Sequence, residues 1–124
     1  MDYRILIVDD IYINRVLLKE IIKKFSNSCF EAQNGKEAID ILEKEELDVI
    51  LMDIEMPIMN GVETTKYIRE KFPYPKKCIP IIALTAYNPE VFFSDYNDVG
   101  FNQLITKPYS IDGLKRTIES LCVK

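Results

Sequence analysis

Three aspartates, a threonine and a lysine stand where they could act together. Asp9 and Asp10 end the apolar run Ile5-Leu6-Ile7-Val8, and Asp53 ends Val49-Ile50-Leu51-Met52. Thr85 ends the run from Ile79 to Leu84, and Lys107 follows Leu104-Ile105-Thr106. Carboxylates gathered at about 4 Å repel by about 4 kcal/mol at an effective dielectric near 20. A hard divalent cation relieves that repulsion, and an all-oxygen set with retained water suits Mg2+ or Mn2+. An aspartate carboxylate can also accept a phosphoryl group covalently. Such transfer depends mainly on positioning and charge stabilisation, which a metal and an ammonium supply. Each residue alone also has an ordinary reading. Two aspartates after a strand make a polar turn, Thr85 would cap a following helix, and Lys107-Pro108 and the segment after Asp53 suit loops. Their joint occurrence, each at the end of an apolar run, carries the functional reading.

The elements that must position these groups alternate. Short continuous apolar runs at 5–8, 49–52 and 79–84 predict strands buried on both faces. Cys29 to Ala32 and Leu104-Ile105 predict two shorter ones. Helices are predicted between them: Asn14 to Phe25, with Leu17, Ile21 and Phe25 on one face; a stripe of Ala38, Ile39, Ile41 and Leu42; Val62 to Phe72; Pro89 to Val99; and Ile111, Leu114, Ile118 and Leu121. Strand then helix, five times, predicts an α/β fold: a doubly wound, flavodoxin-like five-stranded parallel sheet flanked by five helices, strand order 2-1-3-4-5. In such sheets ligands bind outside the carboxyl ends of the strands, where the five residues would converge.

Composition narrows the function classes. The 124 residues fit one domain, and 48% are hydrophobic, enough for a core without disulfides or structural metal. The net charge of −4 argues against direct nucleic-acid binding. Lys23-Lys24 and Lys76-Lys77 read as solvated surface. No apolar run reaches a membrane span, and Met1-Asp2-Tyr3-Arg4 leads into a strand without a signal-peptide pattern. Cys29, Cys78 and Cys122 are scattered, and histidine is absent. This excludes the usual zinc patterns and histidine catalysis, and the cysteines are expected to be mostly buried in a reducing cytoplasm. No glycine-rich phosphate loop is present, which argues against a nucleotide site.

Val8-Asp9-Asp10, Leu51-Met52-Asp53-Ile54-Glu55-Met56-Pro57, Asn60-Gly61, Leu84-Thr85-Ala86 and Thr106-Lys107-Pro108 resemble the signature of response-regulator receiver domains, over essentially all of 1–124 as a single unit. The resemblance implies a two-component phosphorelay module with Asp53 as phosphoacceptor. It implies Mg2+ bound by Asp10, Asp53 and the Glu55 backbone carbonyl, with Asp9 assisting directly or through water. Lys107 would hold the phosphoryl oxygens, Thr85 would move to hydrogen-bond them, and the Lys107-Pro108 bond would be cis. The implied donor is a histidine kinase or a histidine phosphotransfer protein. The face formed by the fourth helix, fifth strand and fifth helix would serve an effector or self-association. Phe93 is a candidate contact there, with Phe92, Tyr96 and Val99 turned to the core. Tyr87 is read either as a screen against the attacking water or as a loop tyrosine. Leu104 departs from the family, which often has an aromatic switch residue at that position, and is read as an ordinary core or edge-strand residue. Asn14-Arg15 and the stretch from Met52 to Arg69 are similar to receivers of hybrid kinases, which favours a receiver from a longer chain over a stand-alone regulator. A flavin-binding protein and an aspartyl-phosphate hydrolase using Glu55 share parts of the pattern. The first lacks its phosphate loop, and the second lacks a cap.

Overall fold

The three central strands are short and apolar because the sheet is covered on both faces there. The computed structural model describes residues 3–54, 56, 59–86, 89–107 and 109–122. In chain order it contains β1 (Arg4–Val8), α1 (Tyr12–Ile22), β2 (Ser28–Ala32), α2 (Gly35–Lys44), β3 (Val49–Asp53), α3 (Gly61–Lys71), a short 3-10 turn (Lys76–Cys78), β4 (Ile81–Thr85), α4 (Pro89–Tyr96), β5 (Gln103–Thr106) and α5 (Ile111–Leu121). The strands form one parallel sheet in the order β2-β1-β3-β4-β5. This is the doubly wound arrangement that the alternation predicts.

Alternate strand residues supply two cores. Leu6, Val8, Ile50, Met52 and Ile81 face α2 and α3, packing with Leu42 and Ile68. Ile5, Ile7, Leu51, Ile82 and Leu84 face α1 and α5, packing with Leu18, Ile22, Leu114 and Ile118. Helix starts are set by side chains that accept otherwise orphaned backbone N–H groups. Asn34 accepts from Glu37 at 2.9 Å and Ser110 from Gly113 at 3.0 Å. Asn60 and Glu63 form a reciprocal capping box.

Several local readings are corrected. In α1 the buried residues are Arg15, Leu18 and Ile22, and Leu17 is exposed. Leu17-Ile21-Phe25 and Leu18-Ile22 have the same spacing, and the face laid on the sheet is the second. The helix expected to run to Val99 ends at Tyr96, although Val99 is buried as anticipated. Cys78 is exposed, Cys29 half-buried and Cys122 buried. Lys76 is not simple surface, because its ammonium donates to the Leu42 and Glu43 carbonyls at the end of α2, 2.5 and 3.2 Å away. The segments that lead into β4 and β5 lean on a second cation. Arg69 of α3 donates to the carbonyls of Lys77, Ile79 and Gly100 and to Asn102 Oδ1, at 2.7–3.1 Å. Gly100 has φ +114°, a conformation side-chain-bearing residues rarely adopt.

Candidate phosphoacceptor site

The parallel register delivers the acidic groups to one edge. Val8 pairs with Met52, so Asp9 and Asp53 leave neighbouring strands at the same level. Asp53 lies opposite Leu84 in β4, and Thr85 lies opposite Thr106 in β5. The Lys107 N–H donates to the Thr85 carbonyl at 2.9 Å, which ties the start of the β5–α5 connection to the end of β4. Gly61 lets the connection after β3 fold back closely. A Cβ there would press on the Asp53 carbonyl and come 2.9 Å from Ile54 Cα.

The five residues singled out in the sequence all stand at this edge. Carboxylate oxygens of Asp9, Asp10 and Asp53 lie within 4.8 Å of one another. Asp9 and Asp53 are buried, and Asp10 is exposed at the mouth. Lys107 Nζ is 3.5 Å from Asp53 Oδ1. Thr85 is buried, 2% exposed. Glu55, Tyr87 and Pro108 lie outside the described residues, as do the side chains of Phe92 and Phe93. The readings attached to them, including the cis Lys107-Pro108 bond and the Glu55 carbonyl as a ligand, therefore have no structural counterpart here. Leu104 is half-buried and packs beside Ala83 and Ile54, as an ordinary edge-strand residue does.

Whether a divalent cation suits this site is decided by Asp9. Its Oδ1 accepts the Ile11 N–H at 2.9 Å. Its Oδ2 is buried and has no hydrogen-bond partner among the described residues. A buried carboxylate oxygen left unsatisfied costs about 1–3 kcal/mol or more. A hard cation among three carboxylates removes that cost and the mutual repulsion together. The donor set fits Mg2+.

Sequence reasoning missed the site roles of two residues. Arg15 is buried behind the acidic pair. Its Nη1 donates to the Asp9 carbonyl at 2.8 Å, and its Nε donates to Glu31 at 3.2 Å. Lys19 donates to the other Glu31 oxygen at 2.8 Å. That Lys19 bond is the main cause holding the Glu31 carboxyl below its ordinary range. The Arg15 guanidinium also lies over the Tyr12 ring, 5.6 Å from its centroid. The other missed residue is Tyr109. Its hydroxyl oxygen is buried and has no hydrogen-bond partner among the described residues. Burial first, then the charges of Asp9 and Asp53, hold its phenol well above the ordinary range. Neither residue has a spacing signal that separates it from helix or loop surface. A groove of about 320 Å³ at the opposite end of the sheet is lined by Leu42, Tyr74, Ile79 and Leu121 together with Glu46, Asp48 and Lys76.

The same arrangement recurs in known proteins. Residues 5–119 match the response regulator receiver domain family. The chain is 34% identical over 119 residues to sporulation initiation phosphotransferase F of Bacillus subtilis (strain 168), covering 96% of this chain and 93% of that protein. It also matches sensor and hybrid histidine kinases, of whose length it spans only 5–14%. Its structure superposes on the receiver domain of sensor histidine kinase PA1611 from Pseudomonas aeruginosa PAO1 with a TM-score of 0.88, at 25% identity and full coverage of both chains. That receiver holds a magnesium ion in its active site cleft. The receiver domain of the Saccharomyces cerevisiae response regulator Ssk1, crystallised with the histidine phosphotransfer protein Ypd1, superposes with a TM-score of 0.85 at 30% identity, covering 98% of this chain and 89% of that one. On sequence, fold and site geometry, this chain belongs to the response regulator receiver domain family, the phosphoacceptor modules of two-component phosphorelays.

Proposed function

We propose that the chain accepts a phosphoryl group on Asp53 from the phosphohistidine of a histidine kinase or histidine phosphotransfer protein. The observation that carries this reading is the buried Asp53 carboxylate, held between the Lys107 ammonium at 3.5 Å and the Asp9–Asp10 pair. An Asp53 carboxylate oxygen attacks phosphorus, the phosphorus–nitrogen bond breaks, and its electron pair stays on the donor imidazole. Lys107 stabilises charge on the transferring oxygens. Thr85, buried at the end of β4, offers its hydroxyl to the phosphorylated form. A bound Mg2+, or Mn2+ in its place, neutralises charge on the carboxylates and on the incoming group. Asp9, Asp10, Asp53 and the Glu55 carbonyl are the ligands we assign. The same groups support self-catalysed hydrolysis of the acyl phosphate, with Tyr87 as the residue that limits water.

Ile11, Ile13 and Leu17 expose apolar side chains in the segment that follows Asp10, a surface that suits a helical donor protein. Phosphorylation shifts a two-state balance through contacts made differently in the two states, and the face of α4, β5 and α5 reports it to an effector or to a second copy. We infer that residues 1–124 act as one unit in the cytoplasm, away from nucleic acid and membrane. Asn14-Arg15 favours a hybrid-kinase or regulator parent. Radiolabel transfer from a phosphohistidine donor in Mg2+ tests the reading: wild type is expected to take up label and Asp53→Asn to take up none. Equal labelling of both proteins would place the acceptor elsewhere.

A further inference from the structure

Two buried polar atoms at the acidic edge have no hydrogen-bond partner among the described residues: Asp9 Oδ2 and the Tyr109 hydroxyl. The first is the oxygen a cation would engage. The second has no part in the chemistry described above. Tyr109 stands two residues beyond Lys107, between β5 and α5. Its ring packs against the core that contains Ile7, Leu51, Leu84 and Leu114. Packing therefore keeps the hydroxyl from turning out to water. A buried hydroxyl without a partner costs about 1–3 kcal/mol. Native proteins rarely keep such a group without a reason, and phenylalanine would fill the same space at no such cost.

The charges that act on the phenol point to the reason. They belong to Asp9 and Asp53, the residues across which a cation would sit, and they add to burial, the larger cause, in holding the phenol above its ordinary range. A protonated phenol can both donate and accept. Mg2+ and Mn2+ held by few protein carboxylates retain several waters. Those waters direct their hydrogens away from the cation and need acceptors. Resting on the divalent-cation reading given above, we propose that the Tyr109 hydroxyl is a positioning group for the water shell of the cation held by Asp9, Asp10 and Asp53, and that it couples the segment carrying Lys107 to cation occupancy.

A purely structural tyrosine and a water-positioning tyrosine differ in two measurements on the same variant. The first is Mn2+ affinity by calorimetric titration of wild type, Tyr109→Phe and, as a control, the partly exposed Tyr67→Phe. The second is the denaturation midpoint of each protein without metal. Loss of one hydrogen bond predicts that Tyr109→Phe binds Mn2+ about three- to tenfold more weakly, while its metal-free stability is equal to wild type or higher. Tyr67→Phe should match wild type in both. Unchanged Mn2+ affinity in Tyr109→Phe, with wild type binding normally, overturns the role of Tyr109 and leaves the cation site standing. Weaker binding together with lower metal-free stability assigns the hydroxyl to the fold and also overturns it. Absence of Mn2+ binding by wild type removes the cation site and this proposal with it.

Discussion

Asp9 commits one carboxylate oxygen to the Ile11 N–H and leaves the other buried without a partner. The residue is thus arranged against its own stability in the metal-free state. Asp9→Asn keeps the turn to Ile11 through its side-chain carbonyl and removes one negative charge from the cluster. Without metal it is expected to be more stable than wild type by about 1–3 kcal/mol. Mg2+ at a hundredfold excess over its Kd should stabilise wild type by about 2.7 kcal/mol and the variant by clearly less. Urea unfolding with and without Mg2+ reads both, and a variant less stable than wild type in metal-free buffer would contradict the account. At this scale the acidic residues, Thr85 and Lys107 were legible because each ends an apolar run in the sequence. Arg15 and Tyr109 were not. A buried arginine reaches its place through a long flexible stem, and a tyrosine in a loop has no periodicity to mark it.

Helix α1 shows where reading by element stops. Its sequence offers two apolar series at the same spacing, and only the sheet beneath decides between them. Leu18 and Ile22 are fully buried, whereas Leu17 is 57% exposed. Leu18→Ala is therefore expected to cost about 2–5 kcal/mol, and Leu17→Ser about 0.5 kcal/mol or less. Paired denaturation curves check this, and equal costs would mean that α1 is rotated from the position described. Leu17→Ser should also slow phosphoryl transfer from a helical donor without changing cation binding, because its side chain is among the exposed apolar groups of α1. The strands were easier to read. Burial on both faces writes itself as an uninterrupted apolar run, and there is no competing register. Strand ends were less well defined: the run starting at Ile79 enters the sheet only at Ile81, because the preceding 3-10 turn at Lys76–Cys78 carries the chain into position.

In the whole molecule, the order β2-β1-β3-β4-β5 puts the acidic strand ends side by side in the middle of the sheet. Lys107, arriving at the neighbouring edge from β5, completes the site with a charge of opposite sign. That convergence was readable from the alternation of strands and helices, since a parallel sheet aligns every carboxyl end on one side. The surface that meets partners was less readable, because exposure depends on helix rotation and not on residue type. The account's central claim is that Asp53, with a divalent cation, takes up a phosphoryl group. Intact-mass measurement after incubation with acetyl phosphate and Mg2+ tests it most directly. The account predicts one added phosphoryl group on wild type, lost on chelation of the metal and absent from Asp53→Asn. The same adduct on Asp53→Asn, or one formed equally in the presence of chelator, would contradict it.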